Sequence, residues 1–210
     1  MKKILSFTLL LFLLSACSSP KVSIDNFEGK FIYTISTIEE EVNLSDSTSY
    51  QIVYAKDSML RIDNFTPIGK QIYIKHIPKN KAYILMDVGM KKVAIQTIAD
   101  SSENAGRYLF EHARGKEKMA NRKAKKIRVT DTVYDTTFNM NYLEEIPAKY
   151  ATAIEGMPGL PARYSINANG TWLNYEINSV EERPLNIDLF GIPSGYEVIT
   201  LDEFIDLIKD

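Results

Sequence analysis

From Phe27 onward, apolar and polar residues alternate in twos. Phe27, Gly29, Phe31, Tyr33 and Ile35 take one set of alternate positions, while Lys30, Thr34 and Ser36 take the other. That is the pattern of a half-buried strand, and it runs over residues 27–38. Similar short segments follow at 49–54, 59–65, 71–77, 83–88 and 92–98. Turn-forming residues separate them: Ala55-Lys56-Asp57, Gly69, Pro78-Lys79-Asn80-Lys81 and Gly89. The connections are too short for parallel crossovers, so the pattern predicts an antiparallel meander.

The pattern changes over residues 102–119. Tyr108, Leu109 and Phe110 stand there among helix formers, which predicts a helix, although Gly106 and Gly115 weaken it. Residues 127–133 read as a strand. Residues 139–152 fit either type, and Pro147 limits any helix among them. Segments 162–167 and 171–180 flank Asn169-Gly170, a pair suited to the positive φ angles of a type I′ hairpin turn. Near the end, Thr200 and Glu203 have the spacing of a capping box. Leu201, Phe204, Ile205 and Ile208 follow at helical spacing, which predicts a helix with one face packed on the domain. The expectation is a single, mainly β domain over residues 26–210 with a few covering helices.

Residues 1–16 have a different character. Lys2 and Lys3 precede an apolar run at 4–14, too short to span a bilayer comfortably, and Leu14-Ser15-Ala16-Cys17 closes it. This resembles a bacterial lipobox. It predicts a signal peptide over 1–16, lipidation of the Cys17 thiol, and a short tether over 17–25. Several acyl chains on one residue exceed what stable anchoring needs. No aspartate adjoins Cys17 and no acidic run follows it, so the expected location is the periplasmic face of an outer membrane.

Composition narrows the chemistry. The chain has 210 residues, of which 45% are hydrophobic and 25% charged, as in a folded globular protein. Cys17 is the lone cysteine, which excludes an intrachain disulfide and any multi-cysteine metal site. Losing Lys2 and Lys3 with the signal peptide moves the formal charge from −2 to −4, which gives no overall case for nucleic acid. The sequence has no nucleophile elbow, phosphate loop or zinc-binding His-Glu-x-x-His, and predicts no cofactor and no enzyme. His76 and His112 read as ordinary partly exposed or hydrogen-bonded side chains, and the Glu39-Glu40-Glu41 and Glu181-Glu182 runs as solvated strand ends. One charge feature stands out. Between Arg107 and Arg128, nine basic residues face only Glu111 and Glu117. They form either a contact for anionic head groups or an acidic partner, or a solvated connection.

Twelve tyrosines and nine phenylalanines are many for this length. On strands they either line a cavity or form ordinary cross-strand pairs. Gly156-Met157-Pro158-Gly159-Leu160-Pro161 resembles the motif of the GLPGLI proteins of Bacteroidetes. With the hairpin after it and the closing Phe190-Gly191-Ile192-Pro193-Ser194-Gly195-Tyr196, it is similar to a family of lipoproteins of unknown function. Both families resemble the lipoprotein carriers and receptors of the Lol system. That resemblance implies a curved antiparallel half-barrel, LolA/LolB-like, with helices over its open apolar side. A hydrophobic ligand, such as an acyl chain, a lipid or a lipoprotein, is then expected against Phe31, Tyr33, Ile35, Tyr73, Leu85 and Ile95. The alternatives are an interaction lipoprotein without a ligand and, third, a hydrolase with an unrecognised site.

Overall fold

The computed structural model describes residues 27–37, 49–66, 69–98, 106–151, 154, 156–168 and 170–209. The signal segment, Cys17, the Glu39-Glu40-Glu41 run and Asn169 lie outside the described residues. Among the described residues, twelve strands form one open sheet. They are β1 (Glu28–Thr37), β2 (Ser49–Lys56), β3 (Met59–Thr66), β4 (Gly69–His76), β5 (Lys81–Val88), β6 (Lys91–Ile98), β7 (Tyr108–Met119), β8 (Arg122–Asp131), β9 (Thr136–Leu143), β10 (Leu160–Ala168), β11 (Thr171–Glu182) and β12 (Glu197–Ile199). Helix α1 (Leu201–Leu207) follows. Among the described residues no helix is long and apolar enough to cross a membrane.

The spatial order is β12-β6-β5-β4-β3-β2-β1-β11-β10-β9-β8-β7, so the sheet consists of two meanders joined where β1 meets β11. The alternation predicts the first meander correctly, because each of β1 to β6 pairs with its neighbour in sequence. The β1–β11 join brings together the two ends of the domain, with Phe31 opposite Val180 and Ile35 opposite Tyr175. Its register shifts at Ile32/Tyr33, leaving Asn178 as an extra residue whose amide donates to the Thr34 hydroxyl. Among the described strands, β12 alone runs parallel to its neighbour, β6.

Register decides which face each side chain takes. Phe31, Val53, Ile62, Tyr73, Ile84 and Ile95 are successive partners across β1 to β6 and share one face. Most of that face joins the main core, where Phe31, Val53, Leu60 and Ile62 cluster with Ile127, Val129, Met140, Tyr164 and Ile177 of the second meander. The opposite face carries a smaller cluster of Ile72, Ile74, Leu85 and Ala94, closed by Ile192 and Tyr196 from the C-terminal segment.

Two expectations need correction, and one ambiguity resolves. The helix over 102–119 is strand β7, paired with β8 through a two-residue turn at Ala120-Asn121. Both turn residues have positive φ, 47° and 62°, and neither is glycine, so the turn leaves no glycine signal. The ambiguous 139–152 region splits into β9 and a 3-10 turn, Ala148–Tyr150, that begins immediately after Pro147. Helix α1 has the capping box expected of it, with the Glu203 amide donating to Thr200 Oγ1 at 3.2 Å and the Thr200 amide to Glu203 Oε2 at 2.7 Å. Its apolar face, however, is not buried: Leu201, Ile205 and Ile208 are exposed. The helix starts directly after the edge strand β12, so β6 is the strand within its reach.

Candidate functional site

Phe31 is fully buried, stacked on Phe27 with centroids 4.7 Å apart and tilted against Tyr150 at 6.5 Å. Tyr33 is buried edge-on against Tyr164, and its hydroxyl donates to the Pro161 carbonyl at 2.7 Å. Burial pushes the Tyr33 phenol far above its ordinary range. It does the same for Tyr164, helped by Tyr33 and Tyr175, so both phenols stay protonated near neutral pH. Ile35 is half-buried and pairs with Tyr175 and Ser49. Tyr73 is half-buried against the main core. Ile95 shares the Tyr73 face, with Ile84 between them. Leu85 does not: it pairs with Ile72 and Ala94 and belongs to the opposite cluster. The six positions therefore do not converge on one space. Strand parity separates Leu85 from the other five, and native side chains already surround Phe31 and Tyr33.

The glycine-proline motif acts as a crossing point. A Cβ on Gly159 would stand 2.3 Å from the Leu143 carbonyl oxygen and 2.9 Å from Glu144 Cα, so β10 can pass β9 this closely only with glycine there. Met157 and Leu160 are buried on either side of it, and the Leu160 amide donates to the Ile146 carbonyl at 2.9 Å. The closing motif straps the smaller cluster. Phe190 is buried, and its carbonyl lies 2.8 Å from His76 Nε2. Ile192 and Tyr196 cover Ile72, Ile74, Leu85 and Ala94. His112 is exposed on β7, and Glu181 and Glu182 form ion pairs with Lys30, Arg183 and Arg122.

The basic stretch over 107–128 is the β7–β8 hairpin. Arg107 is bound to buried Asp131 at 2.7 Å, Arg128 to Glu111, Arg122 to Glu182 and Glu145, and Lys125 to Glu144 at 2.5 Å. At the tip, Lys116 stands directly opposite Lys125, and Lys118 directly opposite Lys123. The intervening Glu117 faces the other way and binds Arg163 at 2.9 Å. Lys116, Glu117, Lys118, Asn121, Arg122 and Lys123 border an open hollow of about 300 Å³. The charge of Lys123, and its hydrogen bond, hold the Lys116 ammonium below the ordinary lysine range. On a helix these lysines would not stand in opposed pairs. The signal that finds them is the spacing: lysines two apart at 116 and 118, then at 123 and 125, on either side of a two-residue turn.

Together these features define a mainly β protein with a buried core shared by both meanders and a cationic hairpin. No family model matches the chain, and no curated protein matches it. A solved structure of PNGF-II in a C2 space group superposes with a TM-score of 0.50 at 15% identity, covering 88% of this chain. The aligned part is 33% of the PNGF-II chain, so this chain spans about a third of that length. At that identity the likeness is one of fold alone.

Proposed function

We propose that this chain is a lipid-anchored protein of the cell envelope, tethered through Cys17 at the periplasmic face of the outer membrane, that works through its surface rather than by carrying a hydrophobic guest. One observation carries the choice between these two modes. Tyr33, the central residue of the expected cavity wall, is buried against Tyr164 and spends its hydroxyl on Pro161. A carrier keeps an apolar space open for its ligand, whereas here the expected wall is packed against its own chain. The lipobox supports the tether, since Leu14-Ser15-Ala16-Cys17 supplies both the cleavage context and the one thiol of the chain. The reading includes a half-barrel. In its support, Glu117 on β7 meets Arg163 on β10 although β8 and β9 lie between those strands in the sheet. It also takes the protein to be no enzyme; in support, among the described residues no activated nucleophile stands beside a base.

The test has two parts. The full chain is produced in a Gram-negative host fed a clickable fatty acid, beside Cys17→Ser. Labelling of the wild type and none of the variant is the expected result; equal labelling overturns the anchor. The labelled protein is then extracted with organic solvent after purification, and the extract is weighed by mass spectrometry. No stoichiometric lipid beyond the covalent anchor is expected, and one equivalent of extractable lipid would restore the carrier reading.

A further inference from the structure

We propose that the Lys116, Lys118 and Lys123 face at the tip of the β7–β8 hairpin is a binding site for a phosphate group, carried on a phospholipid head or on a small phosphorylated compound.

Like charges placed directly opposite each other on neighbouring strands are unfavourable, and such pairs are ordinarily avoided or neutralised. This hairpin holds two in succession, Lys116 with Lys125 and Lys118 with Lys123, on one face. Carboxylates are close by, but each is engaged elsewhere. Glu144 takes Lys125, Glu182 and Glu145 take Arg122, and Glu117 turns to the other face and takes Arg163. Among the described residues, Lys116, Lys118 and Lys123 have no carboxylate within ion-pair distance. Three lysines therefore border the hollow with no ion pair of their own, and Glu117 at the same rim is held by Arg163.

The shape narrows the ligand. A hollow of about 300 Å³ with a wide mouth takes one compact anion together with the group that carries it. Asn121 sits at the same rim, in the turn itself. A phosphate offers up to two negative charges and three strong acceptor oxygens, which matches three lysines at one rim better than a single carboxylate does. Bound there, it relieves the repulsion that lowers the proton affinity of Lys116. The site stands on the hairpin alone and does not depend on the lipid anchor.

The test is residue-resolved. The full chain is reconstituted into phosphatidylcholine vesicles and treated with a lysine-acylating reagent, and each lysine is followed by mass spectrometry. The treatment is repeated with pyrophosphate added, and again with phosphatidylglycerol in the vesicles. The expected result is severalfold slower acylation of Lys116, Lys118 and Lys123 in at least one of these arms, with Lys81 and Lys91 on other strands unchanged. Protection by pyrophosphate identifies a soluble phosphate compound; protection by phosphatidylglycerol alone identifies the lipid head. No selective protection in either arm overturns the proposal. Lys118→Glu places an acid opposite Lys123, so it should abolish protection of Lys116 and Lys123 while the melting temperature stays level or rises. Lys118→Arg should keep both. Full protection retained in Lys118→Glu also overturns the proposal.

Discussion

The hydroxyl of Tyr33 on β1 donates to the carbonyl of Pro161 at the start of β10, at 2.7 Å and across 128 residues of sequence. Strand β11 lies between β1 and β10 in the sheet, so this bond reaches across a strand on the core face and ties the two meanders together. Tyr33→Phe keeps the ring against Tyr164 and leaves the Pro161 carbonyl without this donor. We expect a loss of about 1–2 kcal/mol in denaturant unfolding. Tyr33→Asp buries an unpaired carboxylate instead and should leave no cooperative transition at 37 °C. A Tyr33→Phe curve that overlays the wild type would show the bond to be energetically idle.

Gly159→Ala tests the crossing of β9 and β10. The added methyl meets backbone atoms, which cannot swing aside as a side chain does. The expected cost is about 2–3 kcal/mol, at the upper part of the range for overpacked positions. Gly170→Ala at the hairpin tip meets no atom within 4 Å and strains only a positive φ of 90°, so it should cost less. Comparing the two melting temperatures checks the order.

The Arg107–Asp131 pair predicts an acid-sensitive step. Burial pulls the Asp131 carboxyl up, but the Arg107 guanidinium and the Val133 and Tyr134 amides outweigh it and leave it below the usual carboxylate range. A lowered folded-state value means the stabilisation is fully present above the unfolded-state value near pH 4 and is lost as pH falls through the lower one. Asp131→Asn should therefore lower the melting temperature at pH 7 and converge on the wild type as pH falls through the lowered folded-state value. At neutral pH Arg107→Gln, which leaves Asp131 charged and buried, should cost about 2–3 kcal/mol, the low side for a buried pair because Arg107 keeps some solvent contact. Parallel pH curves for Asp131→Asn and wild type would refute the assignment.

Removing residues 201–210 should shift the melting temperature by no more than about 2 °C, because no residue of α1 is buried. Thr200→Ala removes the cap and should lower helical signal while the sheet melts unchanged. A drop of many degrees on truncation would show that α1 is covered in solution.

Local chemistry alone determined much of this fold. The period-two rows over 27–98 placed the first meander, because each of those strands pairs with its neighbour in sequence and buries one face. Asn169-Gly170 placed the late hairpin, and Thr200 with Glu203 placed the start of α1, since hairpin turns and caps are set by residues a few positions apart. What required tertiary structure was partnership over distance. Strand β7 is rich in helix-forming lysine and glutamate, and only its pairing with β8 makes it a strand. Leu85 looks like Tyr73 and Ile95 in sequence, yet one step of register sends it to the other face. The face of α1 is amphipathic by spacing, but burial needs a surface opposite, and the end of a sheet edge offers little of one. The charge of the hairpin was countable from the sequence. Only strand register showed that four of its lysines stand in opposed pairs, and only side-chain geometry showed that three of them lack an acid to neutralise them.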